Sequence, residues 1–218
     1  MSSNRRKPWT RPGSVRRLTG IRERRKVLIL CEDQKSSCLY FEGFQLDPKR
    51  VQVLTVGTGR NTDGLVRDAL ERKRQAERRD QPFNEIWCVF DRDSFPAQNF
   101  NRALELAETH GIRVAWSNEA FELWYLLHFS YHDTGISRRE YGPRLSKLMK
   151  KPYDKADSKI YQTLLGRQGQ AVRNALKLER SWLESGGCNP EKANPSTSVH
   201  RLVARLNEFL GSSLTEAS

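Results

Sequence analysis

Short apolar runs alternate along this chain with longer amphipathic stretches. Val27-Leu28-Ile29-Leu30-Cys31, residues 51–56, Ile86-Trp87-Cys88-Val89-Phe90 and Ile112-Arg113-Val114-Ala115-Trp116 are short and rich in β-branched and aromatic residues. That is the profile of strands buried on both faces of a parallel sheet. Between them the pattern predicts helices. One covers 35–47 on Leu39, Phe41, Phe44 and Leu46 and ends before Pro48; the next covers 63–79 on Leu65, Val66, Ala69 and Leu70 and is closed off by Pro82. A third covers 97–110 and stops at Gly111, and a dense aromatic helix follows the fourth strand over 119–129. The order βαβαβαβα predicts a mainly parallel α/β sheet with right-handed crossovers and helices on its faces, Rossmann-like in class.

Beyond residue 130 the chain becomes more polar. A short helix is predicted near 141–150, then helices near 159–165 and 168–183. A last helix is opened by Asn194-Pro195-Ser196-Thr197, with Pro195 in its first turn and Val199, Leu202, Val203, Leu206 and Leu210 on its apolar side. The expected organisation is a basic arm (1–25), an α/β core (26–130), a helical C-terminal part packed on that core (131–211) and a tail (212–218).

The strand ends carry the chemistry. Glu32 follows the first apolar run at once, and Asp91-Arg92-Asp93 follows the third. Ligands of open α/β sheets bind outside the carboxyl ends of the strands, so Glu32, Asp91 and Asp93 are expected on one rim. Three carboxylates meeting there repel each other unless a cation neutralises them. Hard oxygen donors suit Mg²⁺ or Mn²⁺, which points to metal-dependent phosphoryl transfer.

Charge adds a polymer to that picture. The net charge is +12, and residues 1–26 hold ten Arg/Lys against the single acid Glu23. Most of the basicity therefore belongs to an arm also rich in Pro, Gly and Ser. Such an arm is drawn to polyanions and suits a nucleic-acid contact; its plainer role is that of a solvated tail. No apolar segment follows the charges as in a secretory signal, and no run reaches membrane-spanning length. The four cysteines show no CxxC spacing, and Cys31 and Cys88 fall inside strands. A reduced, cytoplasmic protein is the expectation.

Other residues extend the rim. Gly57-Thr58-Gly59-Arg60-Asn61-Thr62 is either a phosphate cradle opening a helix, with Gly57, Gly59, Arg60, Asn61 and Thr62 as substrate contacts, or a plain turn. Asn118 lies just past the fourth strand, a substrate-binding candidate. Glu122 near the start of the next helix is a candidate metal ligand, or orients one. Phe121, Trp124, Tyr125, Leu126 and Phe129 read as core. His128 is placed with the substrate-binding residues, against the alternative of a buried, hydrogen-bonded histidine.

Several separated blocks make the chain resemble the RloB family, within the wider Toprim superfamily. They are Ile29-Leu30-Cys31-Glu32, Tyr40-Phe41, residues 57–62, Val89-Phe90-Asp91-Arg92-Asp93, residues 117–124, His128-Phe129, Tyr153-Asp154-Lys155 and Asn194-Pro195-Ser196-Thr197. The resemblance spans roughly residues 26–210. It implies a compact α/β fold with a Glu at one strand end and DxD at a later one, shared with topoisomerases, primases and OLD-type nucleases. It also implies a nuclease of bacterial anti-phage defence acting on DNA or RNA, tRNA included, with an ABC- or AAA-type ATPase partner, and it puts Lys155 near the site as a catalytic cation. Two positions depart from it. Asp33 stands where a Gly usually follows the first-strand Glu, and Ser37 stands where a second acid is usual. A catalytically weak binding or sensor subunit, and a DxD nucleotidyl- or phosphate-transferring enzyme, are the alternatives. A homo-oligomer is compatible with each.

Overall fold

Arg25–Cys31 forms β1, whose last five residues are buried. Val27, Ile29 and Cys31 point to one face of the sheet and Leu28 and Leu30 to the other, which explains why the run is apolar without alternation. The computed structural model describes residues 24–49, 51–59, 62–92, 97–186 and 189–211. Next come α1 (Ser36–Glu42), β2 (Val51–Gly57), α2 (Thr62–Arg78), β3 (Glu85–Asp91), α3 (Ala97–Thr109) and β4 (Arg113–Asn118). The C-terminal part holds α4 (Glu122–Leu127), α5 (Arg138–Met149), α6 (Ile160–Leu164), a 3-10 turn over Leu165–Arg167, α7 (Gln168–Glu184), β5 (Ser196–Thr197) and α8 (Val199–Leu210).

The sheet order is β2-β1-β3-β4-β5. The first four strands are parallel, with Cys31 opposite both Gly57 and Val89, and β5 runs antiparallel to β4. The path leaves β1 toward β2 and then returns to β3 on the other side, so the switch point of the topology lies between β1 and β3. In such sheets that crevice is where ligands bind.

The helices divide between two cores. α2 and α3 cover Leu28, Leu30, Ile86, Cys88 and Phe90 with Leu65, Val66, Ala69, Phe100, Ala103 and Ala107. On the other face α1 and α4 to α8 share one continuous core around Trp124, Tyr40, Tyr141, Leu164, Leu178 and Leu206. The C-terminal helices therefore cover the sheet itself. Cys31, Cys38 and Cys88 are buried free thiols. Among the described residues no helix is long and apolar enough to cross a membrane.

Several expected boundaries move. α1 ends at Glu42, short of residue 47, because the chain must turn where Gly43 lies against Tyr161: a Cβ at Gly43 would overlap Tyr161 Cβ and Cγ. Gly43→Ala is expected to cost about 3 kcal/mol, the upper end of overpacking penalties, read from urea denaturation; a loss under 1 kcal/mol would mean that α1 and α6 shift apart freely. The aromatic helix contracts from 119–129 to α4. α5 starts three residues earlier than expected because Ser137 and Glu140 form a capping box.

The segment 194–197 does not open the last helix. Ser196 and Thr197 are β5, and α8 begins at Val199. The unpaired edge of β4 draws them in. Thr197 Oγ1 and the Ser198 backbone N–H both donate to the Trp116 carbonyl at 2.9 Å, and the Trp116 N–H donates to Ser198 Oγ at 2.9 Å.

Candidate functional site

Two strand ends and one helix start converge at the β1/β3 switch point. The Glu32 backbone N–H continues the ladder onto the Val89 carbonyl at 2.9 Å, and Glu32 Oε2 accepts the Asp91 N–H at 3.1 Å. Each acidic residue is thus fixed by the neighbouring strand. Asp91 is the last residue of β3 and keeps the parity of Trp87 and Val89, so it faces the side covered by α4 and α5. Its side chain is 14% exposed and its Oδ2 lies 3.0 Å from Arg138 Nη2. Burial first, then the charges of Glu122, Glu32 and Asp33, push the Asp91 carboxyl well above the usual aspartate range, against the pull of Arg138.

Glu122, the first residue of α4, is 2% exposed. Its Oε1 accepts the Tyr153 hydroxyl at 3.0 Å and pairs with Lys155 Nζ at 2.9 Å. Its Oε2 is buried with no hydrogen-bond partner. Burial and the neighbouring Glu122 charge raise the Tyr153 phenol far out of its ordinary range, so it remains a donor.

Asp33 occupies the turn before α1. It accepts the Ser36 hydroxyl at 2.5 Å and both the Ser37 N–H, at 3.2 Å, and the Ser37 hydroxyl. Asp33, Ser37, Glu32, Asp91 and Arg138 line one cavity of about 150 Å³, with Phe121 among its apolar walls. The two positions that depart from the family resemblance thus meet at the site, and Asp33 supplies a carboxylate beside Ser37.

The fit to a divalent cation rests on this donor set. Glu32, Asp33 and Asp91 bring hard oxygens to one cavity, and Oε2 of Glu122 is buried without a hydrogen-bond partner. Among the described residues no three ligand-type side chains are gathered closely enough to cage an ion; Arg138 and Lys155 stand against two of the carboxylates instead.

Other expected site residues are placed differently. Asp93, Arg60 and Asn61 lie outside the described residues. Gly57 is needed for close approach, since a Cβ there would come within 2.7 Å of Gln34 Cα and 2.8 Å of the Asp33 carbonyl. Thr58 and Gly59 donate backbone N–H groups to the Cys31 and Glu32 carbonyls, both at 2.9 Å. The loop therefore holds Glu32 in position. Thr62 is buried at the start of α2.

Asn118 and His128, expected among the substrate-binding residues, do not line this cavity. Asn118 is buried and its amide donates to the Pro190 and Glu191 carbonyls at 3.3 and 3.4 Å. His128 is fully buried against the rings of Trp124 and Tyr40, with Nδ1 2.8 Å from the Trp124 carbonyl. Burial lowers its pKa to about 4. The unfolded chain takes up a proton below its ordinary 6.5 that the fold refuses. Stability is therefore full above that pH and falls as pH drops toward 4, by about 3 kcal/mol in all. His128→Gln should remove that component, seen as a shrinking difference between wild type and variant in urea denaturation from pH 7.5 to 4.5. A constant difference would refute it.

Arg138 was missed because it lies 47 residues from its partner; the one local signal was the Ser137–Glu140 capping box, which puts it at a helix start.

The sequence profile of the RloB-like protein family matches residues 27–206. The chain belongs to the RloB-like family. A search of curated proteins gave no match. The matched span runs from within β1 to within α8, so the α/β sheet and the C-terminal helices of this RloB-like protein belong to one family unit.

Proposed function

We propose that this RloB-like protein is a Toprim-type, metal-dependent nuclease that hydrolyses phosphodiester bonds of DNA or RNA, tRNA included. It would act as an effector of bacterial anti-phage defence under the control of an ABC- or AAA-type ATPase. The observation that carries the reading is the delivery of Glu32 and Asp91 side by side at the carboxyl ends of adjacent parallel strands, with Asp33 beside them and the charge of Glu122 felt at Asp91.

Bound Mg²⁺ or Mn²⁺ would polarise the scissile phosphate and lower the pKa of an attacking water. Glu32, Asp91 and Glu122 would hold it, joined by Asp93 of the DxD sequence. Tyr153 and Lys155 fix Glu122 through Oε1, leaving Oε2 to the ion. Asp33 adds negative potential that draws a cation into the cavity. Lys155, half-exposed beside the rim, would face charge developing on the phosphate. The arm of residues 1–25 supplies the attraction to a polyanion.

A second reading, a nucleic-acid-binding or sensor subunit, is favoured by one observation: Arg138 already neutralises Asp91. The experiment that separates the two is a cleavage panel of duplex DNA, single-stranded DNA and total tRNA with Mg²⁺ or Mn²⁺, with an ABC- or AAA-type ATPase added where one is encoded nearby. Cleavage of one polymer, abolished by EDTA, is the expected result. Tight binding without cleavage under every condition would replace the nuclease by the binding subunit.

A further inference from the structure

We propose that Arg138 is a substrate-phosphate ligand that stands in for the cation at Asp91 until metal arrives, so that metal loading releases it toward the phosphate. This rests on the nuclease reading above and names how that site is kept closed and then armed.

The geometry has three parts. First, the guanidinium lies 3.0 Å from Asp91 Oδ2 and lines the same cavity as Glu32, Asp33 and Asp91. Second, carboxylates crowd this point. Asp91 feels Glu122, Glu32 and Asp33, and Lys155 is engaged with Glu122. The positive charge against Asp91 is that of Arg138, and a divalent ion in the cavity competes with it for the same oxygens. Third, the root of the side chain is fixed by the backbone while its head reaches water as well as Asp91. The Arg138 backbone N–H donates to Glu119 Oε2 at 2.8 Å and the preceding Ser137 is locked to Glu140 at 2.8 Å, yet the side chain is 45% exposed. An anchored base with a long, half-solvated arm can exchange partners without moving α5.

The chemistry favours the exchange. Guanidinium remains charged at every working pH. Its fork of donors matches a phosphate as well as a carboxylate. When the cation takes Asp91, the displaced fork stays within reach of the rim where the substrate's phosphate must sit. No proton or electron moves in this step; one ion pair is traded for another.

The test is calorimetric titration of Mn²⁺ into wild type, Arg138→Gln and Arg138→Lys, followed by initial rates at saturating Mn²⁺ on whichever polymer of the panel is cleaved. Arg138→Gln should bind Mn²⁺ roughly tenfold more tightly, within the usual range of coupling between competing sites. It should also cleave roughly a hundredfold more slowly, the scale of losing one preorganised donor, with a raised KM. Arg138→Lys should keep near wild-type Mn²⁺ affinity and recover part of the rate. Equal or weaker Mn²⁺ binding by Arg138→Gln would overturn the competition, and an unchanged rate at saturating metal would overturn the phosphate contact. Silent titrations in all three proteins would instead remove the nuclease reading, and the proposal with it.

Discussion

Asp91→Asn should abolish metal-dependent cleavage while raising the thermal stability of the metal-free protein. The rate loss is expected to be on the order of 10³-fold or more, because disturbing a metal's outer shell alone costs 10- to 100-fold and Asp91 is a direct ligand in the proposed site. The stability gain has a separate cause. Asp91 is a buried charge repelled by Glu122, Glu32 and Asp33. What it would lose is an ion pair whose other member, the nearly half-exposed Arg138, is left in contact with water and not stranded in the interior.

The pH dependence gives the sign independently. The folded pKa of Asp91 is raised, so the fold retains a proton that the unfolded chain gives up from about pH 3.9. The contribution of Asp91 to stability therefore declines as pH rises from there to the raised value, and stays unfavourable above it. Melting curves of wild type and Asp91→Asn at neutral pH, without metal and then with Mn²⁺, check both points. The variant should melt higher without metal, and Mn²⁺ should raise only the wild type. Full cleavage by the variant would remove Asp91 from the metal-binding set; a lower metal-free melting temperature would show that the Arg138 pair outweighs the repulsion.

Lys155→Met should destabilise the fold by about 2–4 kcal/mol, a large effect for a half-exposed lysine. Its partner explains the size. Glu122 is almost wholly buried, with the Lys155 ammonium 2.9 Å from Oε1 and Oε2 without a hydrogen bond. Removing one member of a buried pair strands the other charge, which costs about 3–5 kcal/mol where both partners are buried, and somewhat less here because Lys155 meets water. Glu122→Gln keeps an acceptor for the Tyr153 hydroxyl and removes the charge. The Glu122→Gln/Lys155→Met pair should therefore return to within about 1 kcal/mol of wild type, a coupling readable in a double-mutant cycle of urea denaturation. A loss below about 0.5 kcal/mol in Lys155→Met would mean that solvent neutralises Glu122.

The central strands were legible because each carries its own signal. β1 and β3 are covered on both faces, so nearly every residue in them is apolar and the first acid marks the rim. That local rule found Glu32 and Asp91. It could not find the end of α1, since Phe44 and Leu46 go on packing against the core after the helix has stopped. The cause of the stop, Tyr161, lies far away in sequence. β5 carries no apolar pattern at all; two hydroxyl residues become a strand only because β4 offers an open edge. Asn118 and His128 lie near the rim in sequence, but in the fold the Asn118 amide donates to the Pro190 and Glu191 carbonyls and His128 Nδ1 lies against the Trp124 carbonyl. Arg138 reached the site through tertiary folding alone.

The antiparallel β5 also sets the order in which the chain can mature. During vectorial synthesis β1, β3 and β4 emerge early, but the outer edge of β4 stays raw until residues 196–198 have been made. The strand that leads into α4 and Glu122 is therefore completed by a segment made 80 residues after Ser117. A chain that stops short of residue 196 lacks that support, so the rim carrying Glu122 is braced only after the C-terminal segment has docked.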